Sequence, residues 1–259
     1  MKQATTLFLH GGPGLSAIVE RELYGESLPL VWWDQPRTEV LFARPYQALL
    51  DDVVFKVEML ASQGGGTIDL VTHSFGAHLA LHLAMVMPER LGAITLVAPV
   101  FDIADALMRL GERAASVSEN PAGLLRAIAL NRAQKNSFNA LWTLFERICQ
   151  VPGFLDMYWG PDAVERRQWF NALIEREAWL DFNACHVILK DFMETTPLRV
   201  QTTVRGPVNI VFGLHDVLVD PRREAQTWSR YFQNVTIQWL NAGHFVHLEC
   251  PPELWLPKG

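Results

Sequence analysis

Ser74 stands in the pentapeptide Thr72-His73-Ser74-Phe75-Gly76, which follows the apolar run from Thr67 to Val71 and precedes the helix-like run from Ala77 to Met85. A serine between a short strand and a helix, with a small residue two positions away on either side, fits the nucleophile-elbow pattern G-x-S-x-G, with Thr72 in place of the first glycine. Such a turn is tight and strained, and it lifts the hydroxyl out of the sheet. The plain alternative is a serine that caps the following helix. A serine hydroxyl is a poor nucleophile until a neutral imidazole takes its proton, and that imidazole must be held in one tautomer by a buried carboxylate. Later in the chain, Gly213-Leu214-His215-Asp216 follows an apolar run from Val208 to Phe212, and Asn241 to Glu249 contains His244 and His247. Asp102, which follows the strand after the elbow, and Asp220 are further carboxylates to weigh beside Asp216, and His247 is a further imidazole beside His244.

Short apolar runs alternate with helix-like segments, the pattern of a mostly parallel sheet covered by helices on both faces. The strand-like runs are Thr6 to Leu9, Leu30 to Trp33, Ile68 to Val71, Ala93 to Val97, Val208 to Phe212 and Thr236 to Leu240. Between Tyr46 and Ala61, Leu49, Val53, Val57 and Leu60 fall at helical spacing and form a crossover into the elbow strand, closed by Gly64-Gly65-Gly66. The 259 residues, 49% of them hydrophobic, are enough for one large α/β domain with a substantial core. A formal net charge of −6 leaves no basic surplus to attract phosphate, which argues against a nucleic-acid or anionic-membrane binder. No apolar stretch approaches a membrane span, and the start of the chain lacks a signal-peptide pattern. Cys149, Cys185 and Cys250 are odd in number and lack metal-ligand spacing, so they read as free thiols of a soluble cytoplasmic protein.

The first strand ends in His10-Gly11-Gly12-Pro13-Gly14, where glycines let backbone amides approach a ligand; the plain alternative is an ordinary turn. This HGGPG loop, Trp33-Asp34-Gln35 and the serine elbow together resemble the α/β-hydrolase superfamily, and in particular its proline-iminopeptidase-like branch. The resemblance implies an oxyanion hole formed by the amides of Gly12 and Phe75. It also implies a triad of Ser74, Asp216 and His244, with GLHD at the position of the family's acid and Gly243-His244 at the centre of its histidine loop. The order Ser, Asp, His is the one this fold uses. His10 and His73 are read as supports of their loops. No metal or organic cofactor is required by such chemistry.

The core would comprise residues 1–100 and 207–259, a sheet of about six strands, and residues 101–206 would be an inserted helical cap. Most aromatics of the cap must form its own core, while some roof the pocket; Trp142, Tyr158 and Trp159, with Gly11 below, are the candidate substrate contacts. Proline iminopeptidases typically carry GGSWG at the elbow and an arginine after Asp-Gln, whereas this chain reads THSFG and Pro36-Arg37. The two edge strands that usually precede the glycine loop are missing from the pattern, so either the sheet is trimmed or a partner, such as a second copy, covers its edge. The leading expectation is a serine hydrolase that cleaves an ester, thioester or small amide of a small molecule with an apolar group. An aminopeptidase, a C–C bond hydrolase or lyase with the same triad, and a non-catalytic ligand-binding module are the alternatives.

Overall fold

The structure is a computed structural model that describes residues 5–36, 43–64, 66–134, 137–195 and 202–257. Arg37 and Gly65 therefore lie outside the described residues. Six strands form one sheet: β1 (Thr5–Leu9), β2 (Leu30–Trp33), β3 (Ile68–His73), β4 (Leu91–Val97), β5 (Val208–Gly213) and β6 (Val235–Leu240). All neighbours are parallel, in the order β2-β1-β3-β4-β5-β6. The strands are those read from the sequence, with ends differing by one or two residues. β4 starts two residues early because Gly92 lets it approach β3; a Cβ there would lie 2.2 Å from Asp69 Oδ1, which accepts the Ala93 amide.

Side chains alternate between two buried faces, as the pleat of a covered parallel sheet demands. Leu7, Leu9, Leu70, Leu96 and Ile210 pack on one face with α2 (Pro45–Gly64) and α3 (Gly76–Val86). Phe8, Val71, Val97 and Val211 pack on the other with Tyr24 of α1 (Ile18–Tyr24), Val246 of α10 (Val246–Glu249) and Trp255, which is fully buried. The spacing of Leu49, Val53, Val57 and Leu60 gives α2 its buried stripe. Only β6 is poorly covered: Ile237 and Trp239 are 37% and 41% exposed.

Between β4 and β5 run α4 (Ile103–Val117), α5 (Ala122–Ala133), α6 (Phe138–Cys149), α7 (Val164–Ile174) and α8 (Phe182–Glu194), with a 3-10 turn over Phe154–Tyr158. Asp102, Ser137 and Asp181 accept amides at the starts of α4, α6 and α8, satisfying donors that have no partner within the helix. Asp220 does the same for α9 (Pro221–Trp228).

The chain passes from β1 outward to β2, then returns across β1 to β3. At that reversal the carboxyl ends of β1 and β3 leave a crevice uncovered by crossovers, the usual ligand position in open α/β sheets. The glycine loop follows β1 and Ser74 follows β3, so both enter this crevice.

Candidate active site

Ser74 lies between the end of β3 and the start of α3 with φ of 51°, in the left-handed region. For a residue with a Cβ this conformation costs on the order of 1 kcal/mol. The surroundings hold it: the Ser74 amide donates to Val97 O at 3.0 Å, and α3 presses so close to β1 that a Cβ on Gly76 would lie 2.6 Å from Leu9 O. Thr72 fits at the first small position as a fully buried strand residue. Phe75 points into the core against Tyr46 and Phe192, with ring centroids at 6.1 and 5.3 Å.

His244 follows β6 and Asp216 follows β5, and the structure brings both to Ser74. His244 Nε2 is 2.9 Å from Ser74 Oγ, and its Nδ1 is 2.7 Å from Asp216 Oδ2. The second Asp216 oxygen accepts the Leu218 amide at 2.9 Å, so the carboxylate is fixed. With Nδ1–H donating to the carboxylate, Nε2 is left to accept the serine proton. The other residues weighed for these positions are occupied elsewhere: Asp102 and Asp220 cap α4 and α9, and His247 forms a buried pair with Glu20 at 2.9 Å. Gly213 is required here, since a Cβ would lie 2.0 Å from Gly243 O of the histidine loop.

Gly12, at φ of 122°, and Phe75 donate their amides to no acceptor among the described residues. The glycine loop is braced from below. His10 stacks on Trp33 at 4.9 Å, donates from Nδ1 to Gly11 O at 2.6 Å and accepts the Gln35 amide on Nε2 at 3.2 Å. Gln35 Oε1 in turn accepts the Gly14 amide at 2.9 Å. Burial lowers the pKa of His10, which keeps it neutral for this role. His73 Nε2 donates to the His244 carbonyl at 3.1 Å. Its pKa falls well below the usual value, first through burial and then through His247 and His244 beside it. The sequence reading of His10 and His73 as loop supports describes these contacts.

Above Ser74 a cavity of about 140 Å³ opens, floored by Gly12, Ser74 and His244 and roofed by Leu107, Phe145, Tyr158, Trp179 and Cys185 of the insert. Among the described residues no Asp, Glu, Lys or Arg lines it. Of the candidate substrate contacts only Tyr158 is on this wall. Gly11 is packed against His73 instead, where a Cβ would lie 2.7 Å from Nδ1. Trp142 donates its indole N–H to Glu146 at 2.9 Å and stacks on Phe138. Trp159 turns the other way from Tyr158 and packs on Phe170 and Phe245 at 5.3 and 5.0 Å, because the chain becomes extended at this residue as the 3-10 turn ends.

Three contributors went unread in the sequence. Gln35 was quoted only as part of a motif; Cys185 lines the cavity from α8. Glu249 accepts the amides of Gly243 and Gly160 at 2.9 and 3.0 Å, joining the histidine loop to the insert. For Glu249 a signal existed: a carboxylate five residues beyond the loop histidine, at the end of a short helix.

The alpha/beta hydrolase family matches residues 7–255. Among solved structures, a proline iminopeptidase-related protein from Thermus thermophilus superposes with a TM-score of 0.67 at 23% identity, covering 98% of this chain and 86% of that one. A thermophilic esterase from Thermogutta terrifontis gives 0.61 at 16% identity, covering 97% and 86%. An epoxide hydrolase from Bacillus megaterium gives 0.57 at 19%, covering 97% and 90%. At these identities the likeness speaks for the fold alone. Curated protein sequences give no match.

Proposed function

Because this chain belongs to the alpha/beta hydrolase family, we propose that it is a serine hydrolase acting on a small neutral ester, thioester or amide with a short apolar acyl group. The observation that carries this reading is the hydrogen-bonded line from Ser74 through His244 to Asp216, at 2.9 and 2.7 Å, opening on a cavity without a charged side chain among the described residues.

In this reading His244 takes the Ser74 proton as Oγ attacks the substrate carbonyl carbon, and the carbonyl electrons move onto oxygen. The amides of Gly12 and Phe75 receive that oxyanion, each donor contributing roughly 3 kcal/mol in comparable sites. As the tetrahedral intermediate collapses, His244 gives its proton to the departing oxygen, sulfur or nitrogen, leaving an acyl group on Ser74. A water molecule, deprotonated by His244, then releases the acid and restores the serine. Asp216 keeps its charge throughout and stabilises the imidazolium.

The apolar roof disfavours the aminopeptidase alternative. Desolvating a substrate ammonium without a carboxylate partner is costly, and none of Asp156, Asp162, Glu165, Glu175, Glu177, Asp181, Asp191 and Glu194 lines the cavity. The helical insert, residues 101–206, acts as the lid over Ser74.

A fluorophosphonate probe followed by mass spectrometry tests the reading: the adduct is expected on Ser74, and Ser74→Ala is expected to lose turnover by about a millionfold. An adduct elsewhere, or an active alanine variant, overturns it. On the same preparation, kcat/KM for an uncharged aryl ester should exceed that for prolyl-naphthylamide.

A further inference from the structure

Three short segments meet behind His244. The Tyr158 carbonyl accepts the amides of His244 and Phe245 at 2.6 and 3.4 Å. In the opposite direction Glu249, at the end of α10, accepts Gly160 N on Oε2 at 3.0 Å and Gly243 N on Oε1 at 2.9 Å. The segments touch at backbone distance: a Cβ on Gly243 would lie 2.3 Å from Tyr158 O, and one on Gly160 2.7 Å from Glu249 Oε2. The same Tyr158 presents its ring edge-on to His244 at 5.7 Å and lines the cavity. The wall that meets a substrate and the imidazole above the serine are thus held as one body, and the carboxylate is the side chain that closes it.

We infer that Glu249 is a positioning residue for the general base, fixing His244 relative to Ser74 by tying the histidine loop to the Tyr158–Gly160 wall. This rests on the reading of His244 as that base. An ionised carboxylate is acceptor-only, and here each oxygen takes one amide. Glutamine offers one acceptor and places an NH₂ against the other N–H, so one of the two ties is lost. Protonation has the same direction of effect, because the protonated oxygen becomes a poorer acceptor. Burial raises the Glu249 pKa, the two amides lower it in part, and the ionisable groups facing it are His215, which lowers it, and Asp216, which raises it. Cys250 is the adjacent residue in the chain.

The test compares the full-length wild type with Glu249→Gln, using p-nitrophenyl butyrate and phosphonate labelling. The wild type is expected to label at Ser74, and an adduct elsewhere would remove the underlying reading by itself. With that satisfied, the variant should show kcat lower by tenfold or more with KM within about twofold. The acid limb of log kcat/KM should be steeper than one in the wild type and have a slope of one in the variant. Protection of the Gly160 and Gly243 amides against hydrogen exchange, taken relative to the intrinsic rate at each pH, should fall together in the variant, and in the wild type as the pH falls. That last measurement stands even where the variant folds poorly. A variant with wild-type kcat and a parallel pH profile, or amides in the wild type that exchange independently, overturns the inference.

Discussion

At the residue scale, the site depends on one carboxylate whose neighbours of the same type do other work. Asp216 holds His244, while Asp102 and Asp220 cap helices. Asp216→Asn is therefore expected to reduce kcat by about ten-thousandfold, the scale at which a triad loses its correct tautomer. Asp102→Ala and Asp220→Ala should each keep kcat near the wild-type value and cost about 1 kcal/mol of stability. Steady-state kinetics beside urea unfolding separates the two effects; a crippled Asp102→Ala with normal stability would move the acid to β4. Ser74, Asp216 and His244 each stand in a local motif, a turn that needs a small residue, a strand ending in glycine and a histidine after glycine, and the resemblance to the α/β-hydrolase superfamily is what names them together; the structure places them within hydrogen-bond distance of one another. Glu249 was harder to read, since its partners, Gly160 and Gly243, sit on two different segments of the chain.

At the element scale, the strands were legible because strands buried on both faces are written as apolar runs; their order in the sheet, with the reversal at β1 that fixes where the crevice lies, comes from the structure. The insert was not legible in the same way. Aromatic residues are abundant in it, and sequence alone does not say which surface a turn presents. Tyr158 and Trp159 are adjacent yet face opposite sides, and Trp142 turns away although Phe145, three residues on and 5.3 Å distant, reaches the cavity. Neither difference is carried by residue type. The roof built from these elements encloses about 140 Å³, close to the roughly 150 Å³ of an apolar cavity that takes benzene. Across a series of p-nitrophenyl esters, kcat/KM is expected to peak at four to six acyl carbons, numbers set on the order of that volume, and to fall about tenfold or more by ten. Phe145→Ala should move the optimum to longer chains. A decanoate preference in the wild type would show that the roof does not set the limit.

At the scale of the whole molecule, Glu224 ties its own helix, α9, to the start of the insert. Its Oε2 accepts the Phe101 amide, where the chain leaves β4 for the insert, and the Trp228 indole N–H of α9, at 3.0 and 2.9 Å. Burial pushes its carboxyl up to about 7. A carboxyl raised on folding contributes stability that is complete below its unfolded value, near 4.3, and is lost as pH rises through 7, about 3 kcal/mol in all. The buried His10 and His73 and the half-buried His82, whose pKa values are lowered, act in the opposite sense as pH falls. The difference between wild type and Glu224→Gln isolates the glutamate: melting curves at pH 5.5 and 8 should show the wild type losing more stability than the variant on going to the higher pH. Equal losses would mean that the carboxyl ionises without penalty. The insert also meets the glycine loop. Gly14 O accepts the Asp181 amide at 2.7 Å, Leu15 and Leu180 form a two-residue bridge, and a Cβ on Gly14 would lie 2.6 Å from Asp181 O. For anyone grafting the roof of a relative onto this scaffold to change its selectivity, that junction is the seam: a transplanted segment 101–206 must bring a chain path at 180–185 that seats on Gly14, or the graft shifts the Gly12 amide along with the pocket it was meant to replace.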